Sequence, residues 1–394
     1  MLRSFDLTII GAGIHGAGFS YIASALGLKC LLVEKSAGVG SATSRNSSKL
    51  IHGGLRYLES GQIHLVRECL KERARLLNAA PDIVTLQPFY IPIYQSSRRT
   101  NATIALGLGI YQLLGGKRFN YISRKNWRDF PIKQSALTGL WRYWDCQTND
   151  EILTQRVVSA AQGFGCELLL NTQPTAIERI DAPSNTPCYQ INLSNNEPVR
   201  SRCVINAAGP WVNEVAALNQ HLPRPPIQWV QGSHIVVNRP PLNGCFYLES
   251  PIDGRPFFVL PWQGQQLVGT TETSIDNPSA AAITETEINY LLTNYNHYFA
   301  NTPILNKDIS RTFCGIRVLP LGATNSIAIN QAKRETQLIV NSEMPGYLAL
   351  YGGKLTSFYA TALKGINLLG PFLSAPKRHK PINLQQTSIA QPKF

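Results

Sequence analysis

Four side chains that can bind or transfer charge lie close together in the stretch SSKLIHGGLRYLESG, residues 47–61. They are Lys49, His52, Arg56 and Tyr57. Two glycines follow His52 directly, and the first ten residues of the stretch fit no regular element. Because glycine lets the backbone bend freely, cationic and hydrogen-bonding groups set around it are suited to surrounding an anionic ligand.

A second set of glycines is spaced to hold a phosphate group. The pattern G-x-G-x-x-G is formed by Gly11, Gly13 and Gly16. It lies between an apolar strand, Leu7–Ile10, and a helix over Ile14–Leu26. A second strand, Lys29–Val33, ends at Glu34. In such a βαβ unit the N–H groups at the helix start bind a pyrophosphate, and the acid accepts the ribose hydroxyls of adenosine, so the sequence predicts a dinucleotide-binding site.

Composition and charge limit the kind of protein this chain can be. Its 394 residues suggest two domains, or one large core with an insertion. Eight cysteines show no C-x-x-C pair and no short metal-ligand spacing, which indicates reduced structural thiols, a cytoplasmic location and no metal site. The net charge of +13 indicates an anionic partner, which is nucleic acid, an acidic membrane surface or a phosphorylated substrate. Because the basic residues are dispersed and match no nucleic-acid-binding motif, we expect no nucleic acid partner.

One apolar segment bears on contact with a membrane. No apolar run approaches the roughly 18 residues of a membrane span, and the N-terminal run is interpreted as a core strand rather than a signal peptide. The longest candidate, Ile104–Leu114, has two arginines before it and Lys117 and Arg118 after it. Such a helix either is buried in the core or lies in the membrane interface, and both alternatives stay open.

The elements that must position these residues alternate between strands and helices. Further strands are predicted at Glu167–Leu170, Thr175–Ile180, Tyr189–Leu193, Cys203–Asn206, Ile235–Val237, Phe257–Leu260, Gln266–Val268, Gln337–Val340 and Tyr347–Leu350. Further helices are predicted at Gln62–Ala79, at Thr284–Phe299 with a capping box, and from a cap at Thr356 to about Leu369.

This order predicts a mixed α/β fold. A discontinuous Rossmann-type nucleotide-binding domain is interrupted by a substrate domain with a more antiparallel sheet. The expected bounds are 1–80, 145–215 and 335–370 for the first domain, and 81–144 and 216–334 for the second. Residues 371–394 are expected to form a loose tail.

Seven stretches together match one known family. They are IIGAGIHGAG (9–18), ATSRNSSKLIHGGLRYLESG (42–61), INAAGPWVNEV (205–215), QGSHIVV (231–237), LPWQGQQLVGTTET (260–273), GIRVLP (315–320) and YGGKLTSF (351–358). Through them the chain resembles the FAD-dependent glycerol-3-phosphate dehydrogenases, within the D-amino-acid-oxidase-like flavoprotein superfamily. The resemblance implies noncovalently bound FAD and oxidation of sn-glycerol 3-phosphate to dihydroxyacetone phosphate, with electrons passed to a quinone at the membrane. Family members usually continue into a helical C-terminal domain, so the sequence is expected to be a short form without it.

The resemblance also implies which residues bind FAD. The flavin-binding loop corresponds to Ser44–His52, Gly53 and Gly54 let the backbone turn beneath the flavin ring, and His52 either touches the ring or packs near it. His15 lies inside the dinucleotide turn, where its side chain can point away from the ligand. In full, the residues implied to bind the cofactor are Gly11, Gly13, Ile14, His15, Gly16, Glu34, Lys35, Thr43, Ser44, Ser47, Ser48, Lys49, Leu50, His52, Gly53, Ala176, Ala208, Gly209, Trp211, Gly315, Arg317, Gly353, Lys354, Leu355 and Thr356.

Oxidation of a secondary alcohol needs a hydride acceptor, a base for the hydroxyl proton and cations for the substrate's phosphate. The candidates for phosphate binding are Arg56, Arg317, Arg334 and Lys354, with Tyr57 as a neutral donor. His234 is the first candidate for the base, and the alternative is a core histidine satisfied by a backbone carbonyl. Lys354 and the helix after Thr356 would neutralise the reduced flavin. The catalytic candidates are His234, Arg317, Lys354 and His52.

Two other functions stay open. A flavoenzyme of the same superfamily would act on another anionic polyol, a hydroxy acid or an amino acid, and oxygen could be its acceptor. Glu272, where the family usually has Asp, leaves room for such a shifted substrate. A non-enzymatic binding protein would use its basic charge for nucleic acid or membrane. The expected partners of the preferred function are a phosphorylated substrate, a quinone, an anionic membrane surface at the inner face of the cell membrane, and a second copy in a homodimer.

Overall fold

The N-terminal βαβ unit forms as the glycine pattern predicts. β1 (Arg3–Ile10) and β2 (Cys30–Val33) pair in parallel, and α1 (Ile14–Ala25) connects them. Gly11 has a φ of +98°, which would strain any side chain, and a Cβ on Gly16 would collide with the carbonyl oxygen of Gly11. Glycine is therefore required at both positions, and its spacing sets the turn that leads into α1.

The structure is a computed structural model that describes residues 2–180, 187–321, 336–373 and 382–384. Its further strands are β3 (Leu50–Ile51), β4 (Val84–Tyr94), β5 (Asn120–Tyr121), β6 (Leu137–Thr148), β7 (Glu167–Leu169), β8 (Pro174–Arg179), β9 (Tyr189–Leu193), β10 (Val199–Asn206), β11 (Ile227–Val237), β12 (Cys245–Glu249), β13 (Pro256–Trp262), β14 (Gln265–Gly269), β15 (Thr273–Ile275), β16 (Ile309–Pro320), β17 (Gln337–Val340) and β18 (Tyr347–Tyr351). Its further helices are α2 (Ile63–Ala79), α3 (Asn101–Leu113), α4 (Asp150–Gly163), α5 (Val212–Ala216), α6 (Glu285–Tyr298) and α7 (Phe358–Leu369).

The first sheet is mainly parallel and contains the βαβ unit. Its order is β17-β18-β10-β1-β2-β7, and the β8–β9 hairpin is attached to β10. Neighbours on this path are parallel except for β17 and β18. Helices α1, α4 and α7 share one apolar core with the sheet, which includes Phe19, Leu153 and Phe358. Strands from the beginning, the middle and the end of the chain therefore meet in one nucleotide-binding sheet.

The second sheet is mainly antiparallel. Its order is β15-β11-β14-β13-β12-β4-β6-β3, with β16 paired to β11 and β5 paired to β6. α6 contributes Leu291 and Tyr295 to one of its apolar cores, and α3 contributes Ile104 and Tyr111 to another. The mixed α/β fold with a discontinuous Rossmann-type unit and an inserted antiparallel sheet is thus confirmed.

The exact domain bounds stay a prediction. β3 lies within the segment 1–80, and the last residues of β6 lie within 145–215, yet both pair with each other in the second sheet. The sheet that a strand joins is set by hydrogen bonding with partners far along the chain, which local sequence does not report.

Two predicted helix caps have different outcomes. The capping box of α6 is confirmed, because Thr284 and Glu287 each accept a hydrogen bond from the other's backbone N–H. The expected cap at Thr356 is wrong, because Ser357 occupies the position before α7. The hydroxyl of Thr356 instead accepts a hydrogen bond from the backbone N–H of His52, at 3.2 Å.

Helix α3 combines features of both alternatives that the sequence left open. Ile104, Leu108 and Tyr111 are buried, whereas Leu106 and Leu113 are 67% and 87% exposed. The helix therefore packs on the second sheet with one side and presents leucines to solvent with the other. In the described part of the chain, no helix is both long enough and apolar enough to cross a membrane.

Candidate active site

A cleft of about 370 Å³ lies where the two sheets meet. On one side it is lined by residues that follow β1, β10 and β18, among them Gly13, Ala207 and Gly353. On the other side it is lined by residues of β11 and β16, among them His234 and Arg317. The carboxyl ends of parallel strands are the usual binding edge of such a sheet, so this cleft is the candidate site.

The carboxylate of Glu34 is fixed at the glycine turn. It accepts hydrogen bonds from the backbone N–H groups of Ala12, at 2.7 Å, and Ser36, at 2.9 Å. The hydroxyl of Ser44 accepts a bond from the backbone N–H of Ile14 at 2.9 Å, and a Cβ on Gly13 would lie 3.1 Å from it. The turn is therefore held in shape by the protein itself before any ribose or phosphate binds.

His15 is the clearest sign of a ligand in this part of the cleft. Both of its ring nitrogens are buried, and within the described structure neither has a hydrogen-bond partner. Burial lowers the pKa of His15 to about 4. A Cβ on Gly353 would collide with its Nε2 atom, and both residues line the cleft. His15 therefore lies at the cleft, and its unsatisfied ring nitrogens beside a glycine cradle fit a hydrogen-bonding cofactor.

The loop after β2 is anchored by an acid that the sequence analysis missed. The side chain of Lys49 is buried and its Nζ lies 2.7 Å from Asp150 Oδ1. Asp150 also accepts hydrogen bonds from the backbone N–H and the hydroxyl of Ser47, at 3.0 and 2.7 Å. Burial lowers the pKa of Lys49, and the charge of Asp150 opposes this shift. The only local signal for Asp150 was its place at the start of α4, where acids are common.

A buried network holds the backbone at Gly53. Its N–H lies 2.9 Å from Tyr111 Oη and 3.2 Å from Asp145 Oδ1. Asp145 also accepts from Tyr111 Oη at 2.7 Å and from Arg73 Nη1 at 2.6 Å. A Cβ on Gly53 would collide with Tyr111 and Leu70. The sequence predicted glycine here because of the flavin ring. Packing against Tyr111 and Leu70 requires glycine as well, which was not predicted.

His52 and Lys354 lie on the same part of the cleft wall. Burial lowers the pKa of His52, the charge of Asp145 opposes this, and the charge of Lys354 adds to it. Lys354 Nζ lies 4.2 Å from the centre of the Tyr57 ring, which is a cation–π distance. The structure thus brings His52 and Tyr57 close to Lys354, which lies about 300 positions further along the sequence.

His234 is buried and held on two sides. Its Nε2 lies 3.0 Å from the Ser48 hydroxyl, and its ring stacks on Phe313 with centres 5.0 Å apart. The pKa of His234 is lowered to about 3, first by burial and then by the charges of Lys49 and Arg317. The imidazole is therefore neutral at pH 7.

Three of the charged side chains that line the cleft beside the second sheet, Arg255, Glu272 and Arg317, contact one another. Arg317 donates from Nη1 to Glu272 Oε1 at 2.9 Å and from Nη2 to the carbonyl of Thr271 at 3.2 Å. Arg255 Nη1 lies 3.5 Å from Glu272 Oε2, and its Nε donates to Asp253 at 2.7 Å. The sequence analysis did not predict Arg255 as a site residue, because its turn carries no pattern that distinguishes it from a surface arginine.

The structure places the predicted site residues in three groups. Those that line the cleft are Gly13, Ile14, His15, Thr43, Ser44, Ser47, Ser48, Leu50, His52, Arg56, Tyr57, Gly209, His234, Gly315, Arg317, Gly353, Lys354, Leu355 and Thr356. Those described but outside its lining are Gly11, Gly16, Glu34, Lys35, Lys49, Gly53, Ala176, Ala208 and Trp211. Arg334 lies outside the described residues.

Several lining residues were not predicted. They are Phe89, Tyr143, Asp145, Tyr247, Arg255, Phe258, Thr270 and Glu272. Most belong to strands of the second sheet or to the turns between them, where period-two patterns identify a strand without showing which residue faces a ligand.

Residues 6–358 match the family described as "FAD dependent oxidoreductase" (DAO). Among curated proteins, an aerobic glycerol-3-phosphate dehydrogenase of Staphylococcus haemolyticus is 32% identical, and the match covers 97% of this chain and 71% of that protein. A protein of the same name from Staphylococcus saprophyticus is 30% identical over 95% of this chain and 68% of its own length. The chain thus spans about two thirds of the length of these relatives.

Solved structures show the same fold. The glycerol-3-phosphate dehydrogenase of Bacillus halodurans, complexed with FAD, has a TM-score of 0.71 at 22% identity, covering 94% of this chain and 65% of that one. The L-alpha-glycerophosphate oxidase of Mycoplasma pneumoniae, with FAD bound, has a TM-score of 0.76 at 19% identity, covering 97% and 98%. A glycine oxidase of Geobacillus kaustophilus has a TM-score of 0.71 at 17% identity, covering 98% and 100%.

Proposed function

From the premise that the chain belongs to the FAD-dependent oxidoreductase family, we propose that it oxidises sn-glycerol 3-phosphate to dihydroxyacetone phosphate. The names of the curated relatives support this substrate. The observation that carries the proposal is the grouping of Arg56, Arg317 and Lys354 around one cleft that also contains a neutral histidine, His234. Cations suit the phosphate of the substrate, and a neutral imidazole suits the proton of its hydroxyl.

The glycine turn and the loop 43–52 form the FAD-binding side of the cleft in this proposal. His15 supplies ring nitrogens that have no other partner in the described structure, and the N-terminus of α1 supplies backbone N–H groups for the pyrophosphate. Lys35 Nζ lies 3.3 Å from the centre of the Trp211 ring, and we assign this pair to the adenosine end beside Glu34. When bound, FAD supplies the acceptor for the hydride from C2 of the substrate.

The substrate's phosphate is assigned to arginine and lysine. Arg56 is half-buried at the cleft, Arg317 is held by Glu272, and Lys354 lies over the Tyr57 ring. A guanidinium makes two parallel hydrogen bonds to phosphate oxygens, which fixes the orientation of the substrate as well as its affinity. Arg334 stays a candidate on sequence alone.

His234 is assigned to the proton of the C2 hydroxyl. Its Nε2 is joined to the Ser48 hydroxyl, and burial together with two nearby cations keeps the ring neutral. The contact with Ser48 fixes the orientation of the ring, which proton transfer requires. Lys354 is assigned to stabilising negative charge that develops on the cofactor side.

Anaerobic reduction of the bound flavin tests the proposal. The purified holoenzyme is mixed with glycerol 3-phosphate, glycerol, 2-hydroxyglutarate or a D-amino acid, and the flavin absorbance is followed. We expect bleaching with glycerol 3-phosphate and none with glycerol, which lacks the anion. A protein that binds FAD but stays yellow at millimolar glycerol 3-phosphate would contradict the proposal.

The electron acceptor is proposed to be a quinone. The glycerophosphate oxidase of Mycoplasma pneumoniae matches 97% of this chain and supports oxygen as a second candidate. Turnover under air distinguishes them: peroxide release without reduction of a quinone analogue assigns an oxidase, whereas quinone reduction with little peroxide assigns a dehydrogenase.

We place the protein at the cytoplasmic face of an anionic membrane, as a homodimer. The exposed leucines of α3, followed by exposed Lys117 and Arg118, support the membrane surface as a partner. Sedimentation with anionic vesicles tests the first assignment, and analytical ultracentrifugation tests the second. A protein that stays in the supernatant and sediments as a monomer would overturn both.

A further inference from the structure

Two guanidinium groups meet at a single carboxylate on the cleft wall. Glu272 accepts from Arg317 at 2.9 Å with one oxygen, and its other oxygen lies 3.5 Å from Arg255. The Glu272 side chain is only 7% exposed, whereas those of Arg255 and Arg317 are 27% and 33% exposed. The carboxylate is therefore buried behind the cations, and both cations reach the cleft.

Neighbouring backbone fixes the same arrangement further. Arg317 Nη2 donates to the carbonyl of Thr271, and Arg255 Nη1 donates to the carbonyl of Glu272 at 3.3 Å. Asp253 accepts from Arg255 Nε on the other side. Each guanidinium is thus held at more than one point, which reduces the entropy that an anion must overcome to order it.

A carboxylate beside an anion-binding cleft has two opposite effects. Its charge repels the anion through space, and its hydrogen bonds orient the cations that attract the anion. Which effect is larger depends on whether the arginines would keep their positions without it. Because Glu272 accepts from Arg317 and also lies within ion-pair distance of Arg255, its loss would release two cations at once, and this geometry favours orientation as the larger effect.

We propose that Glu272 is a positioning residue that holds Arg255 and Arg317 as a paired-guanidinium platform for the phosphate group of the substrate. Arg255 thereby becomes a phosphate-binding residue beside Arg317. This inference rests on the proposed function, because it assigns a phosphorylated substrate to the same cleft.

In the variant Glu272→Gln, the two effects change the affinity for phosphate in opposite directions. It keeps the size of the side chain and removes one negative charge. Repulsion alone predicts tighter phosphate binding in this variant, whereas a positioning role predicts weaker binding. A charge-assisted hydrogen bond contributes about 1.5–3 kcal/mol, so we expect KM for glycerol 3-phosphate to rise roughly tenfold or more. Because the phosphate is bound equally in the ground and transition states, kcat should change less than about threefold.

Direct binding gives a second readout that does not need turnover. Inorganic phosphate is titrated into the holoenzyme, and its Kd is read from the perturbation of the flavin absorbance. We expect the Kd to rise by about the same factor in Glu272→Gln and in Arg255→Gln. Glu272→Asp keeps the charge and should restore most of the affinity.

Asp82→Asn is the matched control, because it breaks an ion pair with Arg156 outside the cleft lining. It should leave both KM and the phosphate Kd unchanged. An unchanged or lower KM and Kd in Glu272→Gln, at normal FAD content, would overturn the platform. Failure of the wild-type protein to be reduced by glycerol 3-phosphate would instead overturn the proposed function, and the phosphate Kd would still decide the platform.

Discussion

The histidines and the arginines of the cleft differ in charge state. His52 and His234 both have a lowered pKa, and burial is the largest cause in each case. Arginine stays charged at any physiological pH. The cleft therefore presents permanent positive charge for an anion together with imidazoles that are neutral at pH 7.

Replacing Arg56 by alanine tests the loop in which the sequence first indicated an anion site. Removal of one charge-assisted hydrogen bond to phosphate costs about 1.5–3 kcal/mol, so KM for glycerol 3-phosphate should rise by roughly one to two decades. Steady-state kinetics measures this. Arg67→Ala, on the exposed face of α2, is the control and should leave KM unchanged. Equal KM values in the two variants would remove Arg56 from the site.

The buried His234 should make the protein sensitive to acid. Its folded pKa of about 3 lies below the ordinary value of 6.5, so below pH 6.5 the unfolded chain binds a proton that the folded chain does not. The free energy of unfolding therefore falls as pH decreases from 6.5 towards 3, by about 2 kcal/mol between pH 7 and pH 5 from this residue.

Denaturant unfolding of the wild type and of His234→Gln at pH 7 and pH 5 measures this contribution. The variant should lose less stability than the wild type on going to pH 5. His64→Gln, exposed on α2, is the control and should behave as the wild type does. A loss in His234→Gln as large as that in the wild type would contradict the buried neutral state.

At the scale of elements, local patterns were sufficient to locate β1, α1 and β2, because glycine spacing and apolar periodicity act within about 30 residues. They could not identify the residues that hold the loop from Ser47 to Gly53 in place. Lys49 pairs with Asp150, and Gly53 with Tyr111 and Asp145, across 58 to 101 positions of the sequence. Such pairs are set by how strands and helices pack, so only the folded chain shows them.

The contacts of Gly53 predict that replacing it by alanine destabilises the protein, whereas the same change at Gly107 does not. Gly53→Ala places a methyl group against Tyr111 and Leu70, and overpacking of this kind costs about 1–3 kcal/mol. Gly107→Ala, in the middle of α3, meets open space and should stabilise the helix by about 0.5–1 kcal/mol. Thermal unfolding measures both. Similar melting temperatures for the two variants would show that the loop adjusts without cost.

At the scale of the whole molecule, the excess of positive charge and the exposed leucines of α3 both bear on the proposed contact with a membrane. The chain has a net charge of +13, and Leu113 is 87% exposed beside the exposed Lys117 and Arg118. An apolar side chain that enters a lipid interface and basic residues that attract anionic head groups act additively in membrane binding.

Leu113→Asp should weaken binding to vesicles that contain anionic lipid. Burial of a leucine side chain contributes about 1.5–3 kcal/mol, so the affinity for vesicles should fall roughly tenfold or more. A sedimentation assay measures this as a lower bound fraction of protein. Val340→Asp, on the edge strand β17 of the other sheet, is the control and should bind as the wild type does. Equal binding of the two variants would exclude α3 from the contact.

The order of strands in the first sheet has a consequence for the synthesis of the protein. β1 is made first, yet one of its neighbours, β10, ends at residue 206, and β18, which completes that side, ends at residue 351. A chain emerging from the ribosome therefore holds the glycine turn long before the residues after β10 and β18 that line the same side of the cleft. We expect that nascent chains released before Tyr347 do not retain FAD, and that capture of the vitamin-derived cofactor is a late event in biogenesis.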